Sequence, residues 1–281
     1  MGHALGVTGS TGNLGGRVAR LLAAAGTEQR LVVRDLSRAP QLPSATAAEA
    51  SYGDFEAVRR ALDGLTTVLM VSGSESATRV EEHKTFVDAA ADAGVRHLVY
   101  ISFYGASPDA TFTLARDHFA TEEHIKSSGL GWTFLRDNLY LDFFPMLAGP
   151  DGVIRGPAGA GVVAAVAQDD IADAAVAVLR DPAAHVGRTY SLTGPEAITL
   201  PEAAAVMSRS LGRPFAFENE TLAEAYASRA SYGAPEWQVD AWVSTYTAIA
   251  AGELAHVTSD VQRLTGRAPK SLERLLRRVS A

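Results

Sequence analysis

The first 136 residues alternate between short apolar runs and longer segments whose apolar residues recur at helical spacing. This alternation restricts the fold most, because strands connected through helices form a parallel sheet with right-handed crossovers. The runs are apolar nearly throughout, as in strands buried on both faces. The predicted strands are residues 4–7, 31–33, 67–71, 97–101 and 132–135, and the predicted helices are residues 14–25, 55–62, 79–93 and 114–127.

Residues at the ends of these helices support the same division. Glycine, which commonly ends a helix in the left-handed conformation, follows each predicted helix. Asp54 directly precedes the second helix and is expected to cap its N-terminus. The four glycines are Gly26, Gly64, Gly94 and Gly129.

A glycine-rich loop joins the first strand to the first helix. Gly9, Gly12 and Gly15 are spaced one residue wider in the first gap than the dinucleotide fingerprint G-x-G-x-x-G. We expect Gly9 to allow a tight turn, Gly12 to let the backbone approach a pyrophosphate, and Gly15 to bring the helix close to the sheet. The free N–H groups and the helix dipole would then face the phosphates, so the loop predicts dinucleotide binding rather than a purely structural turn.

Two arginines near the end of the second strand favour NADPH over NADH. Arg34 follows the strand directly and Arg38 lies one turn further on, where a guanidinium suits a 2′-phosphate. Asp35 favours the 2′-hydroxyl of NADH, unless it pairs with Arg38. The alternative to a cofactor contact is that these charged residues simply form a loop exposed to solvent.

The second half of the chain has a looser pattern. Glycine and proline crowd residues 145–161, which is typical of a substrate loop. Helices are predicted again at residues 170–179 and 199–211, with short strands at 189–192 and 215–217. Thr199 with Glu202, and Thr221 with Glu224, have the spacing of capping boxes. We therefore predict a dinucleotide-binding core over residues 1–136, followed over residues 137–281 by a substrate loop and a small, mostly helical cap, partly interleaved with the core.

Composition excludes several classes of protein. The 281 residues are 47% hydrophobic and 20% charged, which is enough apolar material for a buried core and unlike a disordered chain. A net charge of −7 argues against nucleic-acid binding. Cysteine is absent, so disulfides and thiol chemistry are excluded, and a reducing compartment fits. We expect a cytoplasmic protein with no bound metal, no membrane partner and a small planar conjugated substrate, and we allow for a homodimer.

The proton-donating pair Tyr-x-x-x-Lys of most short-chain dehydrogenases is missing from the sequence. The helix in which it would fall has His118 and Glu122 four residues apart, on one helical face. A catalytic dyad would raise the pKa of His118, whereas a surface ion pair is the more ordinary explanation. Reduction of a quinone suits such a chain, because hydride addition leaves a phenolate-like anion whose conjugate acid has a pKa of roughly 10 and which water can protonate.

Other polar and aromatic side chains follow the predicted strands and are candidates for substrate contact. Ser102 ends the fifth predicted strand, and Tyr104 lies two residues on. Tyr140 and Phe143 are candidates for an aromatic wall against a planar ring. A place in the hydrophobic core is the favoured explanation for Phe143 and Phe144, and it suits Tyr140 equally well. Ser102, Tyr104 and His118 are therefore the candidate catalytic residues.

Several segments together resemble the atypical short-chain dehydrogenase/reductase group that contains NmrA-like proteins, and most closely the bacterial NADPH:quinone oxidoreductases. The segments are Val7–Gly15, Val33–Arg38, Tyr52–Asp54, Leu69–Glu75, Ala93–Ser102, Phe134–Tyr140 and Asp260–Gly266. The resemblance covers nearly the whole chain. It implies a Rossmann-type, doubly wound parallel sheet with a helical cap.

The resemblance also implies roles for individual residues. The glycine loop would wrap the pyrophosphate, Arg34 would contact the 2′-phosphate, and Asp54 would lie near the adenine. The segment after residue 71 would border the nicotinamide ribose, and the segment after residue 136 would lie near nicotinamide and substrate. The implied cofactor residues are Gly9, Ser10, Thr11, Gly12, Asn13, Leu14, Arg34, Asp54, Ser72, Gly73, Ser74, Asp137 and Asn138.

Two functions from different classes fit these observations. One is an NAD(P)H-dependent oxidoreductase, with NADPH favoured, that reduces quinones or similar conjugated carbonyls. The other is a non-catalytic NADP(H)-binding redox sensor of the NmrA type.

Overall fold

The computed structural model describes residues 4–277. Its strands, in chain order, are β1 (Leu5–Thr8), β2 (Gln29–Val33), β3 (Ala45–Glu49), β4 (Thr67–Val71), β5 (His97–Phe103), β6 (Gly131–Asp137), β7 (Val153–Gly156), β8 (Val162–Val163), β9 (Arg188–Leu192), β10 (Ile198–Thr199) and β11 (Ala216–Asn219). Its helices are α1 (Asn13–Ala24), α2 (Phe55–Leu62), α3 (Arg79–Asp92), α4 (Thr113–Ser127), α5 (Phe144–Leu147), α6 (Gln168–Arg180), α7 (Leu200–Leu211), α8 (Leu222–Arg229), α9 (Glu236–Ala250), α10 (Asp260–Thr265) and α11 (Leu272–Arg277).

The main sheet has seven strands in the order β3-β2-β1-β4-β5-β6-β9. β1 pairs in parallel with both β2 and β4, so the strand order reverses beside β1. This is the doubly wound arrangement, in which ligands bind at the carboxyl ends of the strands at the reversal point. The predicted Rossmann-type fold is confirmed.

One strand of this sheet was absent from the sequence prediction. β3 pairs in parallel with β2, but its residues are only partly buried. It lies at the edge of the sheet and contains alanine, threonine and glutamate instead of an apolar run. An exposed edge strand needs no continuous apolar sequence, so hydrophobicity does not reveal it.

The chain divides into two compact units that are interleaved along the sequence. Within the described residues, unit 1 comprises 4–103, 117–136 and 171–190, and unit 2 comprises 104–116, 137–170 and 191–277. The core of unit 1 is centred on Phe86, Tyr100 and Phe134, which are fully buried. Burial of such aromatic side chains removes a large apolar area from water and anchors α3 to the sheet.

Unit 2 combines helices with two small sheets. Both predicted capping boxes are present, at Thr199 with Glu202 and at Thr221 with Glu224. The stretch predicted as a loop contains β7, which pairs with β11. β8 follows this stretch directly and pairs with β10. A short strand was predicted at residues 215–217, which overlap β11, but its pairing with β7 joins distant parts of the chain and is not evident from local sequence.

The ends of the helices agree with the prediction. All four glycines have positive φ, between +72° and +82°. The Asp54 carboxylate accepts a hydrogen bond from the Ala57 N–H at 2.9 Å and caps α2. Across residues 4–277, every helix lacks either the length or the apolar character needed to cross a membrane.

Candidate functional site

A cavity of about 560 Å³ lies in unit 1 where β1, β2 and β4 end. It is therefore at the point where the strand order reverses, which is the expected position of a ligand in this architecture. Its lining residues are Gly9, Thr11, Gly12, Asn13, Leu14, Gly15, Val32, Val33, Arg34, Ala50, Ser51, Tyr52, Gly53, Val71, Ser72, Gly73, Ser74, Ser76 and Glu82.

The glycine loop has the geometry that the sequence predicted. Gly9 has a φ of +66°, and its carbonyl accepts the Gly12 N–H at 2.9 Å, which closes a tight turn. A Cβ on Gly15 would lie 2.5 Å from the carbonyl carbon and oxygen of Gly9. Only glycine at position 15 therefore lets α1 approach β1 so closely.

The N-terminus of α1 faces the cavity without a side chain covering it. Gly12 is the N-cap residue, and in the described chain no side chain caps this helix and no acidic residue occupies its first turn. Asn13, Leu14 and Gly15, which begin the helix, all line the cavity. The first main-chain N–H groups of a helix and its positive dipole end favour an anion such as phosphate.

Arg34 and Asp35 have different roles in the structure. Arg34 lines the cavity, whereas the Asp35 carboxylate accepts hydrogen bonds from the Ser37 N–H at 2.9 Å and from the Ser37 hydroxyl at 2.6 Å. These bonds, with a smaller contribution from Arg38, lower the pKa of Asp35. The carboxylate that would favour NADH thus caps the short 3-10 helix Leu36–Arg38, and the guanidinium of Arg34 is left beside the cavity.

Tyr52 and Glu82 are among the lining residues that were not assigned a role from the sequence. The Tyr52 hydroxyl donates to the Val71 carbonyl at 2.6 Å and contacts the Thr8 hydroxyl at 2.5 Å, so it ties β1 and β4 together beneath the cavity. Glu82, on the first turn of α3, accepts the Thr78 hydroxyl at 2.6 Å. The contacts of Tyr52 join residues distant along the chain, although Tyr52 lies in a segment that carried the family resemblance, whereas the bond of Glu82 is local.

The hydroxyl of Ser102 already has a partner. It donates to Glu122 at 2.6 Å, and Arg136 binds both oxygens of the same carboxylate, at 2.8 and 2.6 Å. Ser102 and Glu122 are fully buried. Ser102 therefore helps to neutralise a buried charge, and its hydrogen is not directed at a substrate.

His118 also differs from the prediction. The expected surface ion pair with Glu122 is wrong, because both residues are buried. His118 Nδ1 lies 2.9 Å from the Tyr100 hydroxyl. Burial, helped by the charge of Arg79, holds the pKa of His118 well below its ordinary value. The ring is therefore neutral instead of being charged by a neighbouring carboxylate.

Comparison with known proteins identifies the family. A family model described as NAD(P)H-binding matches residues 9–182, which include the glycine loop and the rest of the cavity lining. The chain belongs to this NAD(P)H-binding family. The resemblance stated from the sequence is confirmed.

This chain is similar over almost its whole length to three known proteins. It is 37% identical to a (4-alkanoyl-5-oxo-2,5-dihydrofuran-3-yl)methyl phosphate reductase of Streptomyces griseus, over 93% of this chain and 92% of that protein. It is 32% identical to an NAD(P)H azoreductase of Xenophilus azovorans, over the same shares. The structure of an NADPH-dependent quinone oxidoreductase of Escherichia coli, in complex with NADPH, matches with a TM-score of 0.89 and 29% identity over 99% of this chain and 100% of that one.

The cavity of this NAD(P)H-binding protein fits a dinucleotide by its own chemistry. The N-terminus of α1, which no side chain of the described residues caps, suits a diphosphate. A Cβ on Gly12 would make a tight contact of 3.3 Å with the Gly9 carbonyl oxygen, so glycine at this position leaves more room for a ligand beside the loop. Thr11, Asn13 and Leu14 complete the loop side, and Ser72, Gly73 and Ser74 line the side that follows β4.

Four of the predicted cofactor residues lie outside the lining: Ser10, Asp54, Asp137 and Asn138. Ser10 is buried, and within the described chain its hydroxyl has no hydrogen-bond partner. Asp54 uses its carboxylate to cap α2, which was the alternative explanation for this residue.

Four predicted site residues come together in unit 2 of this protein. The Tyr104 N–H donates to the Asp137 carbonyl at 2.8 Å, and the Tyr140 hydroxyl donates to the Asp137 carboxylate at 2.8 Å. Burial raises the pKa of Asp137 well above its ordinary value, although the bond from Tyr140 opposes this shift. Asn138 is buried, and its side-chain amide donates to the Leu254 carbonyl at 3.0 Å.

The aromatic residues that follow are placed differently from one another. Phe144 is only 1% exposed and is a core residue, as one explanation expected. Phe143 is 38% exposed, so the same expectation is wrong for it. Its ring lies 5.3 Å from that of Tyr140 in an edge-to-face arrangement, which leaves an aromatic surface on this segment.

Proposed function

We propose that the protein is an NADPH-dependent reductase of quinones and similarly conjugated acceptors. The observation that supports the cofactor best is the division of roles between Arg34, which lines the cavity, and Asp35, which caps a turn. A guanidinium binds phosphate oxygens through paired, charge-assisted hydrogen bonds, and NADPH alone offers a 2′-phosphate there. The NADPH named for the quinone oxidoreductase structure supports the same choice.

The names of the relatives support a conjugated acceptor. They describe reduction of an unsaturated lactone, an azo compound and a quinone. These groups share an electron-poor double bond that accepts hydride and spreads the resulting charge by resonance. When bound, NADPH supplies that hydride, and the protein has to orient the acceptor and exclude competing reactions.

The residues of unit 2 are our proposal for substrate contact. Tyr140 and Phe143 would offer the aromatic surface against which a planar ring packs. Asp137 links Tyr104 to Tyr140. Its carbonyl accepts the Tyr104 N–H, and its carboxylate accepts the Tyr140 hydroxyl. Ser102 and His118 are not part of this proposal, because both are engaged in buried contacts.

Steady-state kinetics with NADPH and NADH test this function. The acceptors should include a benzoquinone, a naphthoquinone, an azo dye and an unsaturated lactone, with a simple ketone as the negative control. We expect consumption of NADPH with at least one conjugated acceptor and none with the ketone. Tight NADPH binding without turnover of any conjugated acceptor would contradict the reductase and favour the redox sensor.

Arginine variants test the choice of cofactor. Arg34→Ala removes the phosphate partner, so the dissociation constant for NADPH should rise about 10- to 100-fold while that for NADH changes little. Arg38→Ala is the matched control, because Arg38 is also exposed but does not line the cavity. An equal loss for both cofactors would show that Arg34 does not bind the 2′-phosphate.

A homodimer and a cytoplasmic location complete the proposal. Light scattering of the purified protein tests the first, since a mass corresponding to one chain would reject it. Cell fractionation with an antibody against the protein tests the second.

A further inference from the structure

The segment Ser72–Ser74, directly after β4, lines the cofactor cavity. Its central amide is held from behind by a histidine: the Gly73 N–H donates to His83 Nε2 at 2.8 Å. His83 lies on α3, is 1% exposed, and is not itself part of the cavity lining. It is therefore placed to act on the cavity only through Gly73.

The contact made by the other ring nitrogen, Nδ1, shows which nitrogen of His83 carries the hydrogen. Nδ1 lies 2.9 Å from the Thr121 hydroxyl oxygen, and that hydroxyl donates its hydrogen to the Asp117 carbonyl at 2.8 Å. Since a threonine has one hydroxyl hydrogen, its oxygen must accept from Nδ1–H. The ring is thus the neutral tautomer with a lone pair on Nε2, which is what the Gly73 N–H requires. Burial, with the nearby Arg79 charge, lowers the pKa of His83 to about 3 and agrees with this state.

Close packing leaves the ring little freedom to move. A Cβ on Gly73 would lie 3.2 Å from His83 Nε2, so this approach suits glycine. The imidazole ring also lies 5.9 Å from the ring of Tyr52, which lines the cavity, and 5.9 Å from that of Tyr100 in β5. The position of the ring therefore sets the position of Gly73.

We propose that His83 is a positioning residue for the cofactor. Through its bond to the Gly73 N–H it holds Ser72–Ser74 in the conformation that the dinucleotide meets, and Thr121 on α4 selects the tautomer that makes this bond. The proposal rests on the proposed NADPH-dependent function for the identity of the ligand. It extends the cofactor site to two side chains that do not line the cavity.

Paired substitutions at position 83 separate the hydrogen bond from the filled space. His83→Leu keeps much of the volume but offers no acceptor, whereas His83→Gln places an amide oxygen where it can accept the Gly73 N–H. We expect the dissociation constant for NADPH, measured by calorimetry, to rise about tenfold in the leucine variant, because a buried N–H loses its partner. The glutamine variant should recover most of the affinity.

His97→Leu is the matched control for general destabilisation. His97 is also buried in unit 1 and also pairs with a threonine, Thr133, at 2.8 Å, but neither residue lines the cavity. We expect it to lower the melting temperature while the affinity for NADPH stays within about twofold of wild type. An equal loss of affinity in His83→Leu and His97→Leu would overturn the proposal.

A second position tests the role of the tautomer. Thr121→Val removes the acceptor for Nδ1–H without changing the shape of the side chain, so the tautomer that accepts the Gly73 N–H loses its stabilising partner. We expect weaker NADPH binding, a changed ring tautomer in ¹⁵N-histidine NMR spectra, and faster hydrogen exchange at residues 72–74. Wild-type affinity together with a changed tautomer would refute the link between ring and cavity.

The exchange and NMR measurements use the protein without NADPH, so they do not depend on turnover. If NADPH binds but no acceptor is reduced, the proposed reductase function is refuted. The role of His83 is then still decided by the affinity of the variants for NADPH. If exchange at residues 72–74 is unchanged in His83→Leu, the role of His83 fails while the reductase is unaffected.

Discussion

The buried, neutral His118 makes the protein sensitive to acid in a way that can be measured. Its folded pKa lies well below the ordinary value of 6.5, because burial and the charge of Arg79 disfavour the imidazolium. In the unfolded chain the same ring titrates normally. A group with a lowered folded pKa contributes stability that is present above the unfolded pKa and is lost as the pH falls toward the folded one.

The size of the effect follows from this linkage. At about pH 5 an ordinary histidine in the unfolded chain is almost fully protonated, which stabilises the unfolded state by about 2 kcal/mol. The folded state receives no matching stabilisation, because its His118 ring stays neutral. His118→Asn removes the titration but keeps a polar group near the Tyr100 hydroxyl, so it is the matched variant.

Urea unfolding of wild type and His118→Asn at about pH 8 and about pH 5 tests this linkage. Between these values the free energy of unfolding of the wild type should fall by about 2 kcal/mol more than that of the variant. The lower stability of the variant itself cancels, since only the change with pH is compared. An equal change, or a smaller loss in the wild type, would refute a buried neutral ring and restore the catalytic dyad with Glu122, in which the pKa is raised.

Four further substitutions probe other parts of the structure. Burial raises the pKa of Asp137, so the contribution of this carboxyl is present below the unfolded pKa of 3.8 and is lost as the pH rises; Asp137→Asn should therefore gain stability relative to wild type with rising pH in the same urea assay. Gly15→Ala should lower stability by about 1–3 kcal/mol, because its Cβ overlaps backbone atoms. Gly12→Ala should weaken NADPH binding in calorimetry and lower stability less than Gly15→Ala, because the residue lines the cavity and its Cβ would make one tight contact of 3.3 Å, with the Gly9 carbonyl oxygen. Thr199→Ala should lower the free energy of unfolding by about 1 kcal/mol through loss of the capping box on α7.

The parts of the site that the sequence predicted are those determined by local chemistry. Gly9, Gly12 and Gly15 meet conformational demands that arise within a few residues of each glycine. Arg34 follows a strand whose apolar run is evident in the sequence, and a residue after such a strand lies at the ligand edge of a parallel sheet. The cap formed by Asp54 is local in the same sense.

The parts that were not predicted depend on partners distant along the chain. Glu122 bonds to Ser102 and Arg136, on two strands of the main sheet, and nothing in the spacing of these residues indicates that they meet. Helical spacing placed His118 and Glu122 on one face but did not show that this face is buried. The prediction of a surface ion pair failed there because charged residues are buried only with partners, and the partners lie outside the helix.

The buried pair formed by Glu122 and Arg136 bears directly on the chemistry of the protein. In the helix where a Tyr-x-x-x-Lys pair would fall, position 122 holds a carboxylate bound at two points by a guanidinium, which cannot lower the pKa of a neighbouring hydroxyl as a lysine does. Position 118 holds a neutral imidazole whose Nδ1 already contacts Tyr100. Neither position of α4 therefore supplies a proton to an alkoxide. An acceptor that stabilises its own negative charge, such as a quinone, avoids this need, and for this reason we expect conjugated acceptors to be reduced and the simple ketone to remain unchanged.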